Sequence, residues 1–148
     1  MRDRREEILA RLVALAATVT GVTDALRNRK TVSETHRPCI VVNDGDEDFD
    51  EPPNDGRPAR QPQLVHMSPE IVLMAAEGTG AAIGTALNTM RREMLRLIKT
   101  DDQLAGSVGS NGRIYSVQTV SDLSKARAME GQMLLSLVFV YPLIVDEL

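Results

Sequence analysis

The chain has 148 residues and is 43% hydrophobic, with two Phe, two Tyr and no Trp; the length suits one domain with a real core, and so few aromatic rings argue against a base-stacking platform. Its 21 acidic and 17 basic side chains leave a formal charge of -4, which sets the molecule as a whole against a phosphate backbone and disfavours a general nucleic-acid binder. The single cysteine, Cys39, excludes an intramolecular disulfide framework or a multi-cysteine zinc site and reads as an inert core thiol.

The N-terminal charges, Arg2 to Glu7, lead into an amphipathic pattern and not into a clean apolar signal sequence, so the protein is expected to be soluble and intracellular when made. From about Arg4 to Thr18, Ile8, Leu9, Leu12, Val13, Leu15 and Ala16 recur at helical spacing and predict the first helix. Gly21 stops it. Val22 to Lys30 alternates in a way that predicts a half-exposed strand. Pro38 opens a short β-branched run, Ile40 to Val42, which the Asp44-Gly45 turn signal is expected to end.

Between Asp44 and Gln63 the composition turns acidic and then Pro-rich, which predicts a long mobile loop over 44–63. Leu64 to Glu77 resumes a strand pattern in which Pro69 demands an edge position or a bulge. From Thr79 to Lys99, Ile83, Leu87, Met90, Met94, Leu95, Leu97 and Ile98 predict a longer helix with Arg91, Arg92, Glu93, Arg96 and Lys99 on its solvent side. A Gly-rich turn, Gly106 to Gly112, leads to a strand over Arg113 to Val120, and a short linker then reaches the greasy final run, Met133 to Val145. The expected fold is a single α+β domain over 1–148: a mixed, mostly antiparallel sheet of four to five strands, two main helices, and the order α-β-β-(long loop)-β-α-β-β. Two helices are little cover for so apolar a closing strand, so part of its cover is expected from another subunit.

Several constellations invite an enzymatic reading. Gly78, Gly80 and Gly84 open a helix after a strand, where a dinucleotide turn would sit, but the spacing is one residue too long and no tight βαβ unit follows; helix entry is the better reading. Asp44, Asp46 and Asp48 have the alternation of a calcium loop, yet the sixth position is Phe49 and the twelfth Asp55. His36 and His66 are far apart in sequence and lack converging donors, and Ser68 and Ser136 lie in no nucleophile elbow. No catalytic, cofactor-binding or metal-ligating residue is therefore assigned, and the chain is not expected to be an enzyme. Arg2, Arg4 and Arg5, backed by Arg27, Arg29 and Lys30, read first as a solvated face paired with Glu6, Glu7 and Asp24, and second as a docking surface for an acidic partner. The methionines, from Met67 to Met133, read as core fillers.

The order and character of the segments resemble the tail terminator proteins of long-tailed bacteriophages: a REEILARLVAL helix, then GVTDALRNRK, then RPCIVVNDGDED with its acidic, Pro-rich continuation, then MSPEIVLMAAE, the segment ALNTMRREMLRLIKTDDQLAGSVGSNGRIY, and the closing LSLVFVYPL. The resemblance spans nearly the whole chain without a diagnostic motif. It implies an α/β protomer with helices on a mostly antiparallel sheet that assembles as a homohexameric ring, binds the last ring of the tail tube protein, stops polymerisation and offers its other face to a neck or head-completion protein. It further implies a virion location at the head-proximal end of the tail, synthesis in the host cytoplasm, DNA passing the lumen without specific binding, and neither membrane nor cofactor.

In that setting Asp46, Glu47, Asp48, Asp50 and Glu51 would face the lumen and repel DNA, or face a partner and be ordered by its basic residues. Arg2, Arg4, Arg5, Arg91, Arg92 and Arg96 become docking candidates, and an edge around Met67 to Ile71 a subunit contact. Two other readings stand beside this one: another head–tail neck or tail completion part, and, more remotely, a small nucleotide-binding enzyme using the glycine turn.

Overall fold

The computed structural model describes residues 2–50, 63–76, 78–125 and 129–148. Helix α1 (Arg4–Ala17) begins where Asp3 accepts a hydrogen bond from the Glu6 amide, with Glu6 and Glu7 in its first turn; such a cap contributes about 1 kcal/mol and the carboxylates suit the positive helix end. Its inner stripe is Ile8, Leu9, Leu12, Leu15 and Ala16, all buried. Helix α2 (Gly80–Thr100) is capped by the Thr79 hydroxyl and buries Ile83, Leu87, Met90, Met94 and Ile98.

Strands β1 (Asp24–Arg27), β2 (Cys39–Phe49), β3 (Leu64–Met74), β4 (Arg113–Lys125) and β5 (Met129–Pro142) form one five-stranded sheet in the order β1-β2-β3-β5-β4. The sheet is mixed: β1 runs parallel to β2, and every other neighbouring pair is antiparallel. This is the α+β architecture that the alternation of periods predicts. A short helix that the sequence reading lacked, α3 (Asp102–Val108), follows α2 directly. Only Leu104, Ser107 and Val108 of it are buried; two turns are too short to display a period, and Gly106 reads as a breaker. Its local signal was Asp101, whose side chain accepts from the Leu104 amide and is held by Arg11.

The helices lie on one face of the sheet. Ile40, Val42, Val65, Met67, Ile71, Leu73, Met133, Leu135, Leu137, Phe139 and Tyr141 point towards them and share the main core with α1, α2 and α3. Gly131 lets α2 sit close to β5: a methyl group there would come 2.3 Å from Ile83 Cγ2. On the opposite face Cys39, Val41 and Met74 make a smaller cluster with Leu26, Val32 and Val72. Cys39 is buried, and that burial pushes its thiol pKa up, away from reactivity.

Three sequence expectations are corrected here. Asp44-Gly45 is a bulge inside β2, not the end of a strand: the register slips between Asn43 and Asp46, Gly45 has φ +69°, and β2 continues to Phe49. The expected loop over 44–63 therefore starts as strand through Phe49; 51–62 lie outside the described residues. Pro69 stands in the gap that this bulge leaves, on β3, which is the middle strand and not an edge. The final run is strand only to Pro142, and Val145–Glu147 form a turn of 3-10 helix.

Candidate interaction surfaces

At the corner where α1 meets β1 and β2, the N-terminal arginines are already engaged. Arg2 pairs with Glu7 at 2.9 Å, Arg4 takes Glu147 at 2.8 Å and the Ser107 carbonyl at 2.9 Å, and Arg5 donates to the Gly45 carbonyl at 2.8 Å. Arg27 grips two carboxylates at once, Asp44 at 2.8 Å and Glu6 at 2.7 Å. These bonds hold the Glu6, Glu7, Asp44 and Glu147 carboxyls below their ordinary range, hydrogen bonding to an arginine being the chief cause in each case. The solvated, internally paired reading of Arg2 fits its contact with Glu7; Asp24 pairs instead with His36.

The acidic residues do not form one cluster. Glu47 turns inward, accepting from the Tyr141 hydroxyl at 2.8 Å beside Arg5 at 3.5 Å; burial and then this bond push the tyrosine pKa well up. Asp50 meets His66 Nε2 at 2.7 Å. Asp46 and Asp48 stand exposed on β2, and among the described residues their carboxylates have no hydrogen bond or ion pair. Glu51 lies outside the described residues. The two histidines are each paired with an aspartate and not with each other, and among the described residues no group of three or more His, Cys, Asp and Glu could hold a metal ion.

Met67 and Ile71 are corrected as subunit-contact candidates: both are 0% exposed, inside the core, on the central strand. The inference went wrong because Pro69 suggested an edge, whereas the bulge opposite removes the need for its N–H.

Arg91, Arg92 and Arg96 project from α2 without a described side-chain hydrogen bond or ion pair; Arg92 and Arg96 are exposed and Arg91 is half-buried. The glycine turn at the start of α2 is a capped helix entry. Thr79 uses the Ala82 amide, and added methyl groups at Gly78 and Gly84 would meet nothing closer than 3.8 Å, so no close approach demands glycine there. Among the described residues the strands flanking α2, β3 and β4, sit in a sheet whose only parallel pair is β1 with β2, which is not the βαβ unit a phosphate-binding turn needs.

The feature that sequence reading did not single out is β4. It has 13 residues, pairs with β5 on one side only, and is exposed from Tyr115 through Asp122. Tyr115, Val117 and Val120 are 37%, 59% and 42% exposed. Its apolar alternation was legible, but a strand pattern does not reveal that a strand is last in the sheet. No family model matches the chain, and no curated protein matches it in sequence. Among the described residues no helix is long and apolar enough to cross a membrane.

Proposed function

We propose that the chain is a structural assembly subunit of the tail-terminator kind: copies close into a hexameric ring, cap the phage tail tube, halt its growth and present the opposite face to the neck. One observation carries this reading. The sheet is covered by helices on one face and ends in a long, bare, partly apolar edge strand, an arrangement that leaves association surfaces where an enzyme would build a cleft. Capping a polymer needs one face that imitates the next ring and another that refuses a further copy, and a closed ring uses unlike patches on each subunit. A sheet with different open edges at its two ends supplies unlike patches.

Light scattering or native mass spectrometry of the purified protein, then mixing with the tail tube protein of the same particle, tests the proposal. A hexamer, or a monomer that forms a ring on tube ends and stops elongation, is the expected result. A monomer or dimer indifferent to the tube overturns it.

A further inference from the structure

The two edges of the sheet are protected unequally. β1 is four residues long and half-buried throughout, whereas β4 offers 13 residues, no proline and an exposed run from Tyr115 through Asp122. An edge of that length, with Tyr115, Val117 and Val120 in it, is a template for another strand. Its own bulge divides it. Before the bulge Arg113 and Tyr115 stand opposite Val140 and Val138; after it Gln118, Val120 and Asp122 stand opposite Ser136, Leu134 and Gln132. Cross-strand partners share a side of the sheet, so these five β4 residues lie on the face away from the helices. Ile114, Ser116, Thr119 and Ser121, opposite core residues of β5, lie on the helix side.

This change of parity at the bulge makes β4 complementary to itself. An antiparallel pairing of two β4 strands that sets Arg113 opposite Asp122 of the second copy also sets Ile114 opposite Ser121, Tyr115 opposite Val120 and Ser116 opposite Thr119, and each pair joins side chains of the same face. The two-fold axis passes beside Val117 and Gln118 and makes every contact twice. At each end an exposed cation meets an exposed carboxylate, neither of which has an ion pair among the described residues; Arg113 has only the Tyr115 ring as its described neighbour, 5.3 Å from the ring centre. The two copies of Arg113 stay at opposite ends of the pair, as do those of Asp122, and Tyr115 with Val120 is an aromatic and β-branched combination of the kind that stabilises paired strands.

The helices leave room for it. α2 rests on β5 and β3, so about three strand spacings, roughly 14 Å, separate the two copies of α2, beyond the distance of about 8–10 Å at which helices pack. α3 touches β4 but is tied to the Arg113 end through Gly109–Gly112, and the two-fold axis carries its copy to the far end. Lys99 donates to the Ile114 carbonyl at 3.4 Å. That long bond comes from an exposed side chain and touches only the outer backbone pair, Ile114 with Ser121, where the carbonyl keeps a second lone pair.

We propose that the free subunit pairs through β4 with a second copy of itself, antiparallel about a two-fold axis, with Arg113 facing Asp122 and Tyr115 facing Val120, so that the two sheets run on as one. The inference goes beyond the ring reading and does not rest on it: it names what covers β4 away from a tube. A copy paired in this way offers no bare β4 edge, so entry into a ring through that edge requires the pair to open.

Native mass spectrometry over a range of concentrations, on wild type, Arg113→Asp, Asp122→Arg and the double variant, tests it. Wild type should show a dimer that grows with concentration. Each single reversal should weaken it by roughly tenfold or more, because like charges then meet at both ends; the double variant should recover it, and the two single variants, mixed, should pair with each other. Oxidation of a mixture of Tyr115→Cys and Val120→Cys should link the two chains, Cys39 being buried; absence of that link overturns the register. A wild type that stays monomeric overturns the pair, as does dimerisation that both reversals leave unchanged, or a loss that neither the double variant nor the mixture restores. A hexamer off the tube that ignores the reversals overturns the pair and supports the ring. A charge-sensitive dimer indifferent to the tube upholds the pair and overturns the ring.

Discussion

The α1 corner and the β4 flank hold the same kinds of side chain and use them in opposite ways. Around α1, arginines bind carboxylates and carbonyls brought from distant parts of the chain: Arg4 reaches Glu147, Arg11 reaches Asp101, Arg27 reaches Glu6 and Asp44. Along α2, Arg92 and Arg96 are exposed with no described ion pair, and on the other face of the sheet Arg113 of β4 is likewise exposed, over the ring of Tyr115. Charge at the first region fastens elements within the subunit; at the second it remains available to something outside. Counting arginines cannot separate these roles. The geometry of neighbouring carboxylates does.

The comparison breaks most severely if the first region is not the rigid one. A methyl group at Gly45 would lie 1.9 Å from the Ser68 carbonyl oxygen on a residue that also needs φ +69°, so Gly45→Ala should cost roughly 3–5 kcal/mol from backbone strain and steric clash together. Chemical denaturation measures it; a loss under about 1 kcal/mol would mean that the β2 bulge is soft.

Next in size is Arg27→Ala, which strands Asp44 and Glu6. Both pairs are partly exposed, so solvent screening holds the expected loss to about 1 kcal/mol. The same variant sharpens the pH behaviour. Asp44 and Glu6 have folded pKa values below their unfolded ones, so the unfolded chain binds more protons as pH falls; their contribution is present above about pH 4 and lost as pH drops through the depressed values. Stability followed from pH 6 to pH 2 should therefore fall less steeply in Arg27→Ala than in wild type, and parallel curves would deny the pairing a role.

The smallest effect belongs to the other region. Arg92→Ala and Arg96→Ala should each leave stability within about 0.5 kcal/mol of wild type, since neither guanidinium has a described partner to strand. A thermal shift as large as that of Arg27→Ala would show that the two regions are not different after all.

Much of the fold was legible without coordinates, because period, caps and apolar runs are local. The stripe from Ile8 to Ala16 and that from Ile83 to Ile98 gave both main helices, and the closing strand announced itself by composition. The bulge was harder. Gly45 looks like a turn to any local rule, and only the arrival of Ser68 and Pro69 from β3 turns it into an irregularity inside a continuing strand. For the interaction surfaces less was readable: Met67 and Ile71 carry the pattern of an edge but occupy the middle, while Arg113 to Val120 carries the pattern of any strand but occupies the end.

By itself the sequence determined element type, the apolar closing strand and the surplus of acid over base, since each depends on neighbours within a few residues. Tertiary structure alone decided strand order, which arginines are satisfied and which edge is left bare. Those are relations between residues tens of positions apart, as between Arg27 and Asp44 or between Glu47 and Tyr141, and no local pattern encodes them.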